Sequence, residues 1–198
     1  MIAILILAAG RSSRMQGTDK LMQPVQGAPL IRTMALRALH CDVPVYATVP
    51  DLNHPRAHAL RDLSVHVVGV PAAVKGMGHS IAGGIHALGD GCDAVMIVPC
   101  DMPELDQHDF QTMLDHYHHS GDNTVLRGSS ESGVPGHPVV FQATHFDALQ
   151  KLSGDSGAKQ VLLECAASVS LIALPKEHAL TDLDTQSEWI DWNANNGL

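Results

Sequence analysis

Positive charge is scarce in this 198-residue sequence, where 12 Lys and Arg stand against 21 Asp and Glu for a formal charge of -9. A surface of that sign repels phosphate backbones and anionic lipid, so neither nucleic acid nor a membrane is an expected partner, and any anionic ligand needs a locally basic site. Cysteine is also sparse: Cys41, Cys92, Cys100 and Cys165 lie far apart with no Cys-x-x-Cys pair. A chain of this size folds without disulfides, so reduced thiols and a cytoplasmic location are expected. The apolar opening Met1 to Ala9 lacks a basic leader and a small-residue cleavage context, and falls far short of the roughly 20 residues that cross a bilayer. No Pro-rich linker, repeat or low-complexity tract interrupts the chain.

What is present suits a folded α/β protein. Apolar residues make up 45% and charged residues 17% of the chain, enough to offset chain entropy in one domain. Met1 to Ala8 is an unbroken Ile, Leu and Ala run ending at Gly10, the pattern of a central strand buried on both faces of a parallel sheet. A helix follows from Pro29, with Leu30, Ile31, Met34, Leu36 and Leu39 on its apolar side. Strands are predicted over Val43 to Val49, Val65 to Val70 and Asp93 to Val98, and helices over His54 to Asp62 and His79 to Leu88. This alternation predicts a three-layer Rossmann-like α/β domain with a mainly parallel sheet. Beyond residue 120 the pattern is less regular. Short strands over Thr124 to Arg127 and Pro138 to Phe141 flank a Gly and Ser rich turn, Gly128 to Gly136. Helices follow over Phe146 to Leu152 and Lys159 to Cys165, a strand over Val169 to Leu174, and a last helix over Thr185 to Asn195. The expected organisation is one domain over 1–198, with a regular part over about 1–120 and a less regular part over about 121–198.

The segment after the first strand, Leu7-Ala8-Ala9-Gly10-Arg11-Ser12-Ser13-Arg14-Met15 with Lys20 beyond it, concentrates charge that the rest of the chain lacks. Small residues let backbone N–H groups surround phosphate oxygens, and two arginines and a lysine supply positive charge. Neither G-x-x-x-x-G-K-[ST] nor G-x-G-x-x-G is present, which disfavours a P-loop enzyme and a nicotinamide oxidoreductase. Read without further context, the segment is equally a tight strand-to-helix loop with solvated basic residues. Asp19 beside Lys20 would repel a phosphate unless it points away. Asp101 follows a buried strand, at the carboxyl end of the sheet where open α/β folds bind ligands. Asp101 and Asp184 together meet the preference of Mg2+ for one or two carboxylates, although Asp101 also reads as a helix cap, and Asp182 or Asp184 as the cap of the last helix. Gly76, Gly78 and Ser80 open a helix with small groups able to hydrogen-bond a flat base, although a serine there reads at least as readily as ordinary helix-start chemistry. His116, His118 and His119 gather near a predicted helix end without metal-ligand spacing, and read as solvated.

These residues together resemble the nucleotidyltransferases that carry an L-A-[AG]-G-x-[GS]-x-R-M…K signature on the nucleotide-diphospho-sugar transferase fold. Five later blocks sharpen the resemblance toward molybdenum cofactor cytidylyltransferases: Gly76-Met77-Gly78-His79-Ser80, Pro99-Cys100-Asp101-Met102-Pro103, Gly136-His137-Pro138-Val139, Gly154-Asp155-Ser156-Gly157-Ala158-Lys159 and Asp182-Leu183-Asp184-Thr185. The resemblance spans nearly the whole chain and implies transfer of CMP from CTP, with Mg2+ or Mn2+, to the terminal phosphate of a molybdopterin-type cofactor. It implies catalytic roles for Arg14, Lys20 and Asp101, and nucleotide contacts from Leu7 through Arg14, Lys20, Gly76, Gly78 and Ser80. It places metal on Asp101 and Asp184. Acceptor contacts fall on Gly136, His137, Pro138, Asp155, Gly157 and Lys159, and a recipient molybdoenzyme or its chaperone becomes a possible partner. Lys159 departs from the family's Arg, giving a point charge where relatives have a planar fork. Ala9 stands where guanylyl relatives have Gly, which favours cytidylyl transfer. Guanylyl transfer, cytidylyl transfer to a small alcohol phosphate, and a noncatalytic cofactor carrier are the rival readings.

Overall fold

The computed structural model describes residues 1–11, 15, 17–121 and 124–196. Expectations for Ser12, Ser13 and Arg14 lie outside these residues. The chain begins with β1 (Ile2–Leu7), and a 3-10 turn at Lys20–Met22 leads to the ribbon of β2 (Pro24–Val25) and β3 (Ala28–Pro29). Helix α1 (Leu30–Leu39), β4 (Val45–Val49), the single turn α2 (Pro55–His58), β5 (Val65–Gly69), α3 (Met77–Ala87), β6 (Ala94–Pro99) and α4 (Gln107–His119) continue the alternation. The remainder comprises β7 (Val125–Ser129), β8 (Pro135–Gln142), α5 (Phe146–Gln150), α6 (Lys159–Glu164), β9 (Val169–Ala173) and α7 (Gln186–Asn196).

Seven strands form one sheet in the order β5-β4-β1-β6-β8-β7-β9. Only β8 runs against its neighbours; the pairs β1 with β4, β1 with β6, β4 with β5 and β7 with β9 are parallel. The sheet is therefore the expected mainly parallel, three-layer α/β type. Because side chains alternate along a strand, β1 feeds both layers. Ile2, Ile4 and Ile6 pack with Leu30, Ile31, Met34, Phe110 and Met113 of α1 and α4. Leu5 packs the other way, against Ile81 and Ile85 of α3 and with Leu149 and Val161. Each such side chain contributes about 1.5–3 kcal/mol by leaving water, so the two layers fix β1 at the centre.

Two sequence expectations are corrected. The helix expected over His54 to Asp62 is only one turn, because after Pro55–His58 the chain continues in i+3 turns through Leu60 and Leu63, with Leu60 1% exposed in the core. The turn expected over Gly128 to Gly136 is shorter: Gly128 and Ser129 belong to β7, and Pro135 and Gly136 to β8. Strand pairing prevails there because these glycines serve close approach rather than bending. A Cβ on Gly128 would lie 2.5 Å from the His137 carbonyl oxygen, and one on Gly136 1.9 Å from that of Ala179.

The topology also sets the location of the site. From β1 the chain goes outward to β4 and β5, then returns across to β6 on the other side, so the carboxyl ends of β1 and β6 flank the point where strand order reverses. Loops leaving two adjacent parallel strands in opposite directions open a crevice at that point.

Candidate functional site

A cavity of about 480 Å³ occupies this crevice. Its floor is built from strand ends, Leu7 of β1 and Pro99 of β6, with Asp101 just beyond. Gly10, Arg11 and Lys20 form one wall, and Gly76, Met77 and Ser80 another. Asp155 and Asp184 enter from the second half of the chain.

The centre of the site is a charge cluster. Lys20 Nζ donates to Asp101 Oδ2 at 2.5 Å and to Asp184 Oδ1 at 2.6 Å, with the lysine side chain 11% exposed. Burial alone would lower the Lys20 pKa, but the charge and hydrogen bond of Asp101, followed by those of Asp184, outweigh it and raise the pKa. The two carboxylates, 83 residues apart in sequence (184 minus 101), meet because the Leu183 N–H donates to the Asp101 carbonyl at 3.0 Å and pins the Asp182-Leu183-Asp184 segment to the strand end. Asp182 lies close enough that burial, then the charges of Asp101 and Asp184, raise its pKa. Helix capping does not account for either carboxylate. Asp106 caps α4 in a capping box with Asp109, while Thr185 Oγ1 accepts from Glu188 N–H and Glu188 Oε2 accepts from Thr185 N–H at the start of α7.

Asp19 does not face Lys20's ligand side. It accepts from Arg56, Nη2 to Oδ1 at 2.7 Å and Nε to Oδ2 at 2.8 Å. Arg56 is a residue that sequence reasoning missed, since an arginine after a proline in a single helical turn carries no spacing signal. Val74 and Met77, 47% and 50% exposed at the cavity wall, were not singled out as site residues either, although Met77 lies inside a quoted block, because an apolar side chain gives no charge signal for a site.

On the opposite wall the Gly76 and Asp155 loops meet through backbone. Gly78 N–H donates to the Gly154 carbonyl at 2.8 Å. Gly76 has φ of 131°, in the region that favours glycine, and a Cβ there would fall 2.2 Å from the Gly154 carbonyl carbon. Ser80 is 3% exposed and its hydroxyl shares a 2.7 Å hydrogen bond with Thr48 Oγ1, so its orientation is set from beneath by β4.

Of the residues singled out in the sequence, Leu7, Gly10, Arg11, Lys20, Gly76, Ser80, Asp101, Asp155 and Asp184 line the cavity. Ala8 and Ala9 lie buried behind the loop, and Gly78 behind the opposite wall. Gly136, His137, Pro138, Gly157 and Lys159 are not lining residues, and Lys159 is exposed at the start of α6. The histidines 116, 118 and 119 occupy the last turn of α4, where His119 Nδ1 bonds the Asp115 carbonyl. Burial pushes the Cys100 thiol up and keeps it protonated, which removes it as a nucleophile.

His137 makes a distinct prediction. Its Nδ1 is buried without a hydrogen-bond partner among the described residues, and burial, reinforced by Arg127 and opposed by Asp101, lowers its pKa from 6.5 to about 4. The unfolded chain therefore takes up a proton below pH 6.5 that the folded protein refuses until about pH 4. The stabilisation is present above pH 6.5 and is lost as pH falls toward 4. At about 1.4 kcal/mol per unit the ceiling is about 3 kcal/mol. Denaturation measured from pH 7.5 to 4.5 should show a flatter acid limb for His137→Gln than for wild type; parallel limbs would remove His137 as the source of the acid sensitivity.

Residues 4–169 match the profile of the MobA-like NTP transferase domain. The chain belongs to this family. That places it among the nucleotidyltransferase enzymes, in agreement with the fold. Among curated relatives, a bifunctional GlmU protein of Cutibacterium acnes is 30% identical over 159 residues, 75% of this chain and 38% of the relative. The chain thus spans about two fifths of the length of the bifunctional relatives it first matches. A molybdenum cofactor guanylyltransferase of Serratia proteamaculans is 26% identical over 199 residues, covering 98% of this chain and 95% of the relative. Among solved structures, Rv0371c from Mycobacterium tuberculosis superposes with a TM-score of 0.80 at 21% identity, covering 96% of both chains, and a manganese complex of it with a TM-score of 0.72 at 20% identity and the same coverage. A CMP:2-keto-3-deoxy-manno-octonic acid synthetase complexed with CTP shares the fold at a TM-score of 0.78 and 14% identity, covering 99% of this chain and 98% of that one. No helix among the described residues is long and apolar enough to cross a membrane.

Proposed function

We propose that this MobA-like domain transfers CMP from CTP to the terminal phosphate of a molybdopterin-type cofactor and releases pyrophosphate. The observation that carries this reading is the convergence of Lys20, Asp101 and Asp184 at the carboxyl ends of β1 and β6, beside the Gly10 and Arg11 backbone. The acceptor is supported by the relative from Serratia proteamaculans, named a molybdenum cofactor guanylyltransferase and similar over nearly its whole length. The two-part organisation follows: about 1–120 holds the nucleotide, and about 121–198 supplies the acceptor side through Asp155 and its neighbours.

The donor set fits a hard divalent cation, since the carboxylate oxygens of Asp101 and Asp184 already converge within hydrogen-bond distance of one ammonium. A bound Mg2+ or Mn2+ would neutralise charge on the triphosphate. Every other part of the chemistry falls to the chain. An acceptor phosphate oxygen attacks the α-phosphorus, the bond from that phosphorus to the bridging oxygen breaks, and pyrophosphate leaves with the electron pair. An acceptor phosphate is ionised near neutral pH, so no general base is needed, and positioning and charge stabilisation suffice. Lys20 and Arg14 would meet the charge that grows on the leaving pyrophosphate. Gly76, Gly78 and Ser80 would orient the base, and the wall bearing Asp155 would face the pterin.

Guanylyl transfer is the second reading, favoured by the same relative's name, whereas Ala9 and the Ser80 neighbourhood favour a pyrimidine. Incubation with molybdenum-loaded pterin cofactor and each nucleoside triphosphate in turn, followed by mass analysis, separates them. CTP should exceed GTP in kcat/KM, because specificity is differential transition-state binding. Equal or greater efficiency with GTP would replace cytidylyl by guanylyl transfer. Nucleotide binding without product formation would favour the noncatalytic carrier. A recipient molybdoenzyme or its chaperone would take the product.

A further inference from the structure

We infer that Arg56 is a positioning residue for the triphosphate, acting through the backbone and through Asp19 on the loop that carries Lys20; the inference rests on the nucleotide-binding reading above. Arg56 is 3% exposed, in a chain with only 12 Lys and Arg. Burying a guanidinium costs several kcal/mol unless its donors are matched, so what it matches shows what its burial serves. Nη1 donates to the carbonyl oxygens of Ala8 and Gly10, both at 2.7 Å. Nε and Nη2 close a bidentate pair on Asp19, at 2.8 Å and 2.7 Å. One side chain on α2 therefore grips both stems of the loop after β1, where the chain leaves the sheet and where it returns.

The grip determines what each stem presents. In a trans peptide the C=O and N–H point in opposite directions. With the Ala8 and Gly10 carbonyls drawn to Arg56, the N–H groups of Ala9 and Arg11 are turned away from it, and Gly10 and Arg11 line the cavity. Backbone donors so oriented suit phosphate oxygens. On the returning stem, the Asp19 carboxylate that Arg56 holds also accepts from Leu21 N–H at 3.0 Å, capping the 3-10 turn that begins at Lys20. The same pair turns the Asp19 charge away from the ligand side. Arg56 is not a lining residue of the cavity; it aims groups that are.

Such a role predicts an effect confined to phosphate recognition and blind to the base. The test compares wild type, Arg56→Lys and Asp19→Asn by calorimetric binding of the magnesium complexes of inorganic triphosphate and of each nucleoside triphosphate, with thermal melts alongside. Lysine keeps the charge but cannot hold two carbonyls and a carboxylate together, and asparagine keeps the cap but weakens the bidentate pair. Both variants should lose about 10-fold or more in affinity for inorganic triphosphate, by the same factor as for the preferred nucleotide, since sub-ångström to ångström misplacement of such groups has effects of that order. Addition of guanidinium to Arg56→Ala should recover part of the loss. If Arg56→Lys fails to fold, Asp19→Asn carries the test alone. Unchanged triphosphate affinity with a lowered melting temperature would reduce Arg56 to a fold-holding residue and overturn the inference, as would a loss seen with one nucleotide but not with inorganic triphosphate. Failure of wild type to bind any nucleoside triphosphate would instead remove the nucleotide reading itself.

Discussion

Lys20→Ala is expected to lower turnover by roughly 10²-fold or more, the scale on which removal of one preorganised donor to a developing anion is felt. The structure adds a second expectation. Lys20 neutralises Asp101 and Asp184 at 2.5 Å and 2.6 Å, with Asp182 close behind, so its loss leaves carboxylates facing one another. Breaking a fully buried pair costs about 3–5 kcal/mol; here Asp101 and Asp184 keep 23% and 34% exposure, and about 1–3 kcal/mol is expected in metal-free protein. Added Mn2+ should restore the melting temperature of Lys20→Ala more than that of wild type, while leaving turnover low. Near-normal turnover in the variant would remove Lys20 from catalysis whatever its effect on stability.

Asp101→Asn should be nearly as severe, and the capping geometry makes it interpretable. Neither Asp101 nor Asp184 caps a helix, so asparagine, which caps about as well as aspartate, should not be silent at either position. The substitution keeps size and removes the charge that a hard cation seeks. Activity at low millimolar Mg2+ should fall by roughly 10- to 100-fold, and the Mg2+ concentration for half-maximal activity should rise. Asp184→Asn should show the same defect in milder form, because its carboxylate is the more exposed of the two. Magnesium titrations that superpose on wild type for both variants would leave the pair with one function, that of holding Lys20.

Local pattern was a good guide wherever chemistry and burial coincide in one short segment. The run Ile2–Leu7 is apolar at every position because both of its faces are covered, and that alone marked it as central. Asp101 was legible as a strand-end carboxylate for the same reason. The capping question at Asp101 and Asp184 was not, since a carboxylate before a helix reads alike whether it turns to the helix or to a distant lysine. Arg56 was invisible because the Ala8 and Gly10 carbonyls and the Asp19 carboxylate, which it holds among the described residues, lie 37 to 48 residues away and two of these are backbone atoms. Glycines 128 and 136 suggested a long turn because composition cannot tell a glycine that bends from one that admits a neighbouring chain.

The backbone contact between Gly76-Met77-Gly78 and Ser153-Gly154-Asp155 bears on how such a domain can change its substrates. A Cβ at Gly78 would sit 2.7 Å from the Ser153 nitrogen, and one at Gly76 2.2 Å from the Gly154 carbonyl carbon, so neither loop has room to alter its path alone. Transplanting one of them from a homologue with another preference would import a surface cut for a different partner. Change at this wall should then require paired replacement, and a library that randomises the two segments together should yield folded variants that single-segment libraries miss.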